Sequence, residues 1–271
     1  MFTPNPALQW IGEKSARLPL SFSLASPDMK KLHDTYLRLE KILGDNIESL
    51  NSVQLVETYR RYWKPEKVKT ILLAESHVYT SDDDRSISIP TLPLLPGYPA
   101  QYARFVYCIG YGERMLTKSR IHPKRDGTPQ FWKIFYSCNS HVSSPHDFRP
   151  ILSQTDFEQR ILNKIQLLQD LKAKGVWLVD TSIVALYKRG KKIPHMFSAL
   201  ETSWNLYTRD IVTAAAPDHV ICIGSGVASI VGSDLKTNFG DRHTVIHQPN
   251  AFLSSEEHMS NYQKYADICC R

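Results

Sequence analysis

Short, wholly apolar runs alternate with amphipathic stretches along most of the chain. Leu32, Tyr36, Leu39 and Ile42 recur at helical spacing, so a first helix is expected, capped by Ser26 or Asp28 and ended by Gly44. A second helix is expected over 53–62, stopping short of Pro65, and the first 27 residues read as irregular. From there the pattern changes. Apolar runs at 69–74, 103–111, 175–182, 219–224 and 244–248 read as strands, with helices at about 156–174 and over 196–216 between them. Strands that are apolar throughout and alternate with helices belong in a sheet covered on both faces. The expected fold is therefore α/β, a three-layer α/β/α sandwich around a central, mostly parallel sheet of four to five strands. Residues 85–150, rich in Pro, Tyr and Gly, fit this pattern least and read as a long surface connection, of the kind that often carries function.

Composition narrows the class. With 42% hydrophobic and 22% charged residues, the chain has the balance of a soluble globular protein, and its 271 residues suffice for a well-buried core. No window approaches the apolar length of a membrane span, and the N-terminus lacks the basic start and apolar core of a secretory signal, so no membrane partner is expected. The five cysteines form neither a disulfide framework nor a four-cysteine cluster, which points to a reducing, intracellular compartment, cytoplasmic or nuclear. A formal charge of +6 and a pI near 9.0 agree with a polyanionic partner such as DNA. The expected organisation is an N-terminal helical extension, 1–50, followed by one α/β domain, 51–271, in a monomer.

In open parallel sheets, ligands bind outside the carboxyl ends of the strands. Glu75, Tyr111, Asp180, Gly224 and His247 follow or close the five expected strands, so they are expected to converge on one edge.

These strand ends, quoted in order, resemble the uracil-DNA glycosylase superfamily from about Val68 to Leu253. "ILLAESHVY" stands where that family has a strand followed by GQDPYH, or by GEAPG in its iron-sulfur branch. "GTPQFWKIFY" looks like its Pro-Ser loop entering a helix, and "GVWLVDTS" like the strand ending LLLNT. "VICIGSGVAS" is similar to its LLWGSYA turn, and "HQPNAF" stands where HPSPLS would be. The resemblance implies hydrolysis of the N-glycosidic bond of a flipped, damaged or deaminated base, uracil or another, without a cofactor.

Carried over residue by residue, the resemblance implies roles that this sequence partly changes. Ser76 replaces the carboxylate of GQDPYH, whereas Glu75 followed by a small residue matches GEAPG, although that branch's cluster cysteines are missing. Glu75 is the candidate for stabilising an oxocarbenium-like sugar and orienting water; the alternative is a glutamate that caps a strand-to-helix turn. His247 matches the histidine that stabilises the departing base, and otherwise reads as a core histidine. Asp180 stands where the family has a base-reading Asn. As a carboxylate it would be protonated in a dry pocket, or read a guanine-type edge with adjacent donors, or cap a turn without touching a base.

Ala74, Tyr107 and Tyr111 complete the implied base pocket, one of the tyrosines offering a stacking face, with core packing as the alternative. Lys188, Arg189, Lys191 and Lys192 would meet phosphates or form a solvated basic loop, and Phe252 or Leu253 would wedge the duplex or pack in the core. Gly224–Ser229 has the look of a dinucleotide turn but lacks the acid at the end of the next strand, and Cys138, His141 and His146 lack a fourth ligand. No cofactor or metal is therefore expected. The remaining alternative is a catalytically inactive protein of the same fold that binds DNA, a nucleotide or a protein partner.

Overall fold

Four of the five expected strands form, and they form one parallel sheet. In the computed structural model, which describes residues 27–118, 120–121, 127–249 and 252–270, these are β1 (Thr70–Ala74), β2 (Val176–Asp180), β5 (His219–Ile223) and β6 (His243–Ile246). Their order across the sheet is β2-β1-β5-β6, every pair parallel. Every residue of β1 and β2 is buried, as their unbroken apolar runs require. The edge strand β6 leaves Val245 exposed.

Helices cover both faces. α5 (Phe157–Lys174) packs on β2, and α8 (Ser225–Phe239) on β5 and β6. Outside them, α4 (Pro129–Asn139) packs against α5 and α9 (Ser255–Cys269), while α6 (Met196–Ser203) bridges α8 and α1 (Pro27–Leu43). The expected cap Ser26 lies outside the described residues, as does the rest of the segment before Pro27. Leu32, Tyr36 and Leu39 of α1 join the same contiguous core as the sheet, so the described part of the N-terminal extension is packed into the domain. Among the described residues, no helix is long and apolar enough to cross a membrane.

Local chemistry explains the main boundaries. Asp156 caps α5 by accepting from the backbone N–H groups of Glu158 and Gln159. The helix ends at Gly175, whose φ of +84° favours glycine and whose added Cβ would lie 2.7 Å from the Lys67 carbonyl. Glycine is required there. The helix expected over 196–216 is interrupted: α6 passes through a π turn, Trp204–Thr208, into α7 (Arg209–Ala214). That turn buries Tyr207 and Thr208, and Thr208 donates to the Thr181 carbonyl just past β2 at 3.0 Å.

Two expectations need correction. Residues 103–111 form consecutive turns, not a strand: Cys108 N–H donates to Phe105 O and Tyr111 N–H to Cys108 O, both at 2.8 Å. An unbroken apolar run specifies burial but not the backbone that achieves it, and here Phe105, Tyr107, Cys108 and Ile109 enter the core from turns. Nor is the first part of 85–150 a surface connection. Ile87, Ile89, Leu92, Leu95 and Tyr102 are buried, and Ser88 bridges Gln101. α4, with Pro129 in its first turn, follows the glycine-threonine pair as the quoted stretch suggested.

Candidate functional site

The sheet register brings the predicted strand-end residues together. Ala74 pairs with Asp180, Leu73 with Cys222, and Ile223 with Ile246, so Glu75, Thr181, Gly224 and His247 leave the sheet in step. Glu75 and His247 follow strands separated only by β5, roughly 10 Å apart at the backbone. Tyr111, on no strand, does not join them by this route.

Glu75 is half-buried at this carboxyl edge. Burial pushes its carboxyl above the usual range, opposed by the Tyr187 hydroxyl, the Lys192 charge and the Gln248 amide. Gln248 follows His247, and Gly224 makes room for it: a Cβ on Gly224, at φ +103°, would fall 2.5 Å from Gln248 Cγ. Ser76 contributes a hydroxyl acceptor to the Leu186 N–H at 3.2 Å, tying the turn after β1 to the segment after β2. His247 is exposed. Its imidazole lies near Glu257, whose carboxyl is held low by the Ser254 N–H and hydroxyl first, with His247 and His258 adding to them.

Lys188, Arg189, Lys191 and Lys192 belong to a two-stranded hairpin, β3 (Tyr187–Lys188) and β4 (Lys191–Lys192). Its turn residues Arg189 and Gly190 both have positive φ, +54° and +78°, as a two-residue hairpin turn demands. Arg189, Lys191 and Lys192 are exposed, whereas Lys188 donates to the Asp45 carbonyl at 2.7 Å and lies over the Tyr79 ring. The hairpin thus presents three exposed cations, of which Lys192, register-paired with Tyr187, acts on Glu75. Phe252 is fully exposed and Leu253 half-buried, just after His247 along the chain.

The implied base pocket is not arranged as the resemblance suggested. Asp180 is only 2% exposed, and its Oδ2 accepts from Arg60 Nη2 at 3.2 Å and lies 3.6 Å from His77 Nδ1. A carboxylate held by a buried guanidinium has a satisfied partner within the protein, so it is not free to read a base edge. Tyr107 is covered on both ring faces, stacked on Trp63 at 6.3 Å and Phe135 at 5.5 Å between centroids, and its hydroxyl accepts from the Leu178 N–H. No face is left to stack on a base. Tyr111 and Ala74 are equally buried, Tyr111 edge-on to Tyr102.

Asp180 belongs to an ion network that the sequence did not announce. Arg60 also pairs with Glu57, which accepts from Arg61 Nε at 2.7 Å and from the Tyr207 hydroxyl at 2.9 Å. At the other end, His77 Nε2 lies 2.6 Å from Glu48 Oε1, both side chains wholly buried. Burial alone would lower the His77 pKa, but the facing Glu48 and Asp180 carboxylates override it and raise the value to about 9. With His77 protonated, Arg60, Arg61 and His77 face Glu48, Glu57 and Asp180, and Arg61 links this buried network to the exposed Asp28 at 3.3 Å.

The folded pKa of His77 exceeds its ordinary value near 6.5. The stabilisation is therefore complete below pH 6.5 and is lost as the pH rises through 9. Denaturant unfolding is expected to show stability falling by up to about 1.4 kcal/mol per pH unit between those values, and His77→Gln is expected to flatten that slope.

A concavity of about 540 Å³ lies at the opposite, amino-terminal edge of the sheet, lined by Lys69, His141, Lys174, His219 and Cys270 among others. Among the described residues, no group of three or more His, Cys, Asp or Glu is placed to hold a metal ion. Comparison of the chain with protein-family models, curated proteins and solved structures gives no match.

Proposed function

We propose that the chain binds nucleic acid at the carboxyl edge of its sheet and hydrolyses an N-glycosidic bond there, as a divergent relative of the uracil-DNA glycosylases. The observation that carries this reading is the half-buried Glu75 carboxylate, held by Tyr187 and Gln248 beside a basic hairpin and in step with His247. Phosphates would meet Arg189, Lys191 and Lys192, positioning the strand without reading its sequence. As the C1′–N bond breaks, its electron pair leaves with the base and the sugar becomes cationic. The ionised Glu75 stabilises that cation and accepts a proton from the water that adds to C1′. His247, two strands away, would stabilise the leaving base. Asp180 and Tyr107 take no part, because both are committed to the protein interior.

That commitment favours a second reading, in which the chain binds nucleic acid without cleaving it. Oligonucleotides carrying uracil, hypoxanthine, xanthine or oxidised guanine, probed for abasic sites after incubation, separate the two. An abasic product supports cleavage, affinity without product supports binding alone, and absence of both overturns the shared site. Arg189→Ala together with Lys191→Ala is expected to weaken binding and to flatten its log-log salt dependence by roughly 0.9 per lost duplex phosphate contact. An unchanged slope would remove the hairpin from the interface.

A further inference from the structure

We propose that His77, clamped between Glu48 and Asp180, is a positioning residue for the Glu75 turn, and that Glu48 thereby makes the link between α1 and α2 (Leu50–Tyr62) a working part of the site. The inference rests on Glu75 being the working carboxylate, but the contacts stand apart from any activity. Glu48 Oε1 lies 2.6 Å from His77 Nε2 and accepts from the Ala185 N–H at 2.7 Å; its Oε2 accepts from the Thr80 N–H at 3.2 Å. One buried carboxylate therefore joins three segments: its own interhelical link, residues 75–80 after β1, and residues 181–186 after β2. Direct bonds reinforce the last two, Ser182 N–H to the Glu75 carbonyl at 3.0 Å and Leu186 N–H to Ser76 Oγ at 3.2 Å. Glu75 sits at the head of the segment so fixed.

As a cation the imidazole turns an N–H toward each of the two carboxylates. His77 Nδ1 is buried without a hydrogen-bond partner and has the Asp180 carboxylate 3.6 Å away, while Nε2 faces Glu48. A neutral ring has one N–H and serves one carboxylate, turning a lone pair toward the other. The charged and titratable groups around it are Glu48 from the interhelical link, Asp180 from β2, Arg60 from α2 through its pair with Asp180, and Tyr79, which faces Glu48. The Phe105 ring packs edge-on against the imidazole at 6.3 Å between centroids. Deprotonation would put two carboxylates in the same dry space with one cation fewer, loosening the turn that carries Glu75.

Imidazole ¹⁵N and Glu75 amide and side-chain ¹³C shifts, followed from pH 6 to 10, test this on the intact protein. The expected result is a doubly protonated His77 at pH 7 that titrates near 9, with the Glu75 resonances moving at the same midpoint. In Glu48→Gln the midpoint should fall by roughly one to three units, and nucleic-acid binding or cleavage should drop several-fold more at pH 8.5 than at pH 6, the smaller loss at pH 6 reflecting the backbone N–H that an amide nitrogen cannot accept. A neutral His77 at pH 7, or Glu75 resonances that ignore its titration in the wild type, would overturn the proposal even if Glu48→Gln did not fold. Coupled titration in a protein that shows neither binding nor cleavage would leave the positioning role standing and overturn the proposed function instead.

Discussion

Replacing Arg60 by methionine is expected to destabilise the protein by about 3–5 kcal/mol, the usual cost of removing one partner from a buried ion network. Arg60 is 3% exposed and is the only member that touches both Glu57 and Asp180 in the contacts described. Methionine fills much of the same volume but takes the only guanidinium from Asp180 and leaves Glu57 with Arg61 and the Tyr207 hydroxyl alone. Arg60→Lys is expected to recover only part of the loss, because an ammonium cannot span both carboxylates as the planar fork does. Urea denaturation of the two variants at pH 7 checks this, and a loss under about 1 kcal/mol in the methionine variant would mean that the network contributes little.

The second large effect belongs to Glu75. Glu75→Gln keeps the shape and the contacts to Tyr187 and Gln248 within reach but removes the charge that faces the sugar cation. Cleavage of the preferred substrate is expected to fall by roughly 10²–10⁴, with affinity for the same oligonucleotide changed only a few-fold. Equal losses in binding and cleavage would make Glu75 a structural residue of the turn. Because burial raises its pKa, the wild-type pH profile is expected to keep rising above the range where an ordinary glutamate is already ionised, as Glu75 loses its proton.

The three inner strands were legible because a parallel strand buried on both faces carries an unbroken apolar run, as at 71–74, 176–179 and 220–223, whereas the edge strand β6 has only Val245 and Ile246 and its Val245 is exposed. The run at 103–111 carries the same signal for a different reason: its aromatic residues are buried from a series of turns, and periodicity records burial, not hydrogen bonding. The placement of Glu75 and His247 followed from the strand ends alone. The ion network did not, since its bonds join His77 to Glu48 and Arg60 to Asp180 across 29 and 120 positions and no local pattern marks such pairs. Asp180 shows the consequence. A strand-end carboxylate looks like a ligand-facing group until its buried guanidinium partner, from a helix far away in sequence, is known. Tyr187 and Gln248 stood beside residues already singled out, in the basic hairpin and after His247, but nothing in their spacing tied them to Glu75.

Residue-resolved hydrogen exchange, with and without a short duplex carrying a deaminated base, tests the central claim that the carboxyl edge is where nucleic acid meets this protein. The account predicts slower exchange in the turn after β1 around Glu75, in the 187–192 hairpin and in the segment after β6 from His247 to Leu253. Protection confined to the opposite edge, around Lys69, His141 and Lys174, would contradict it.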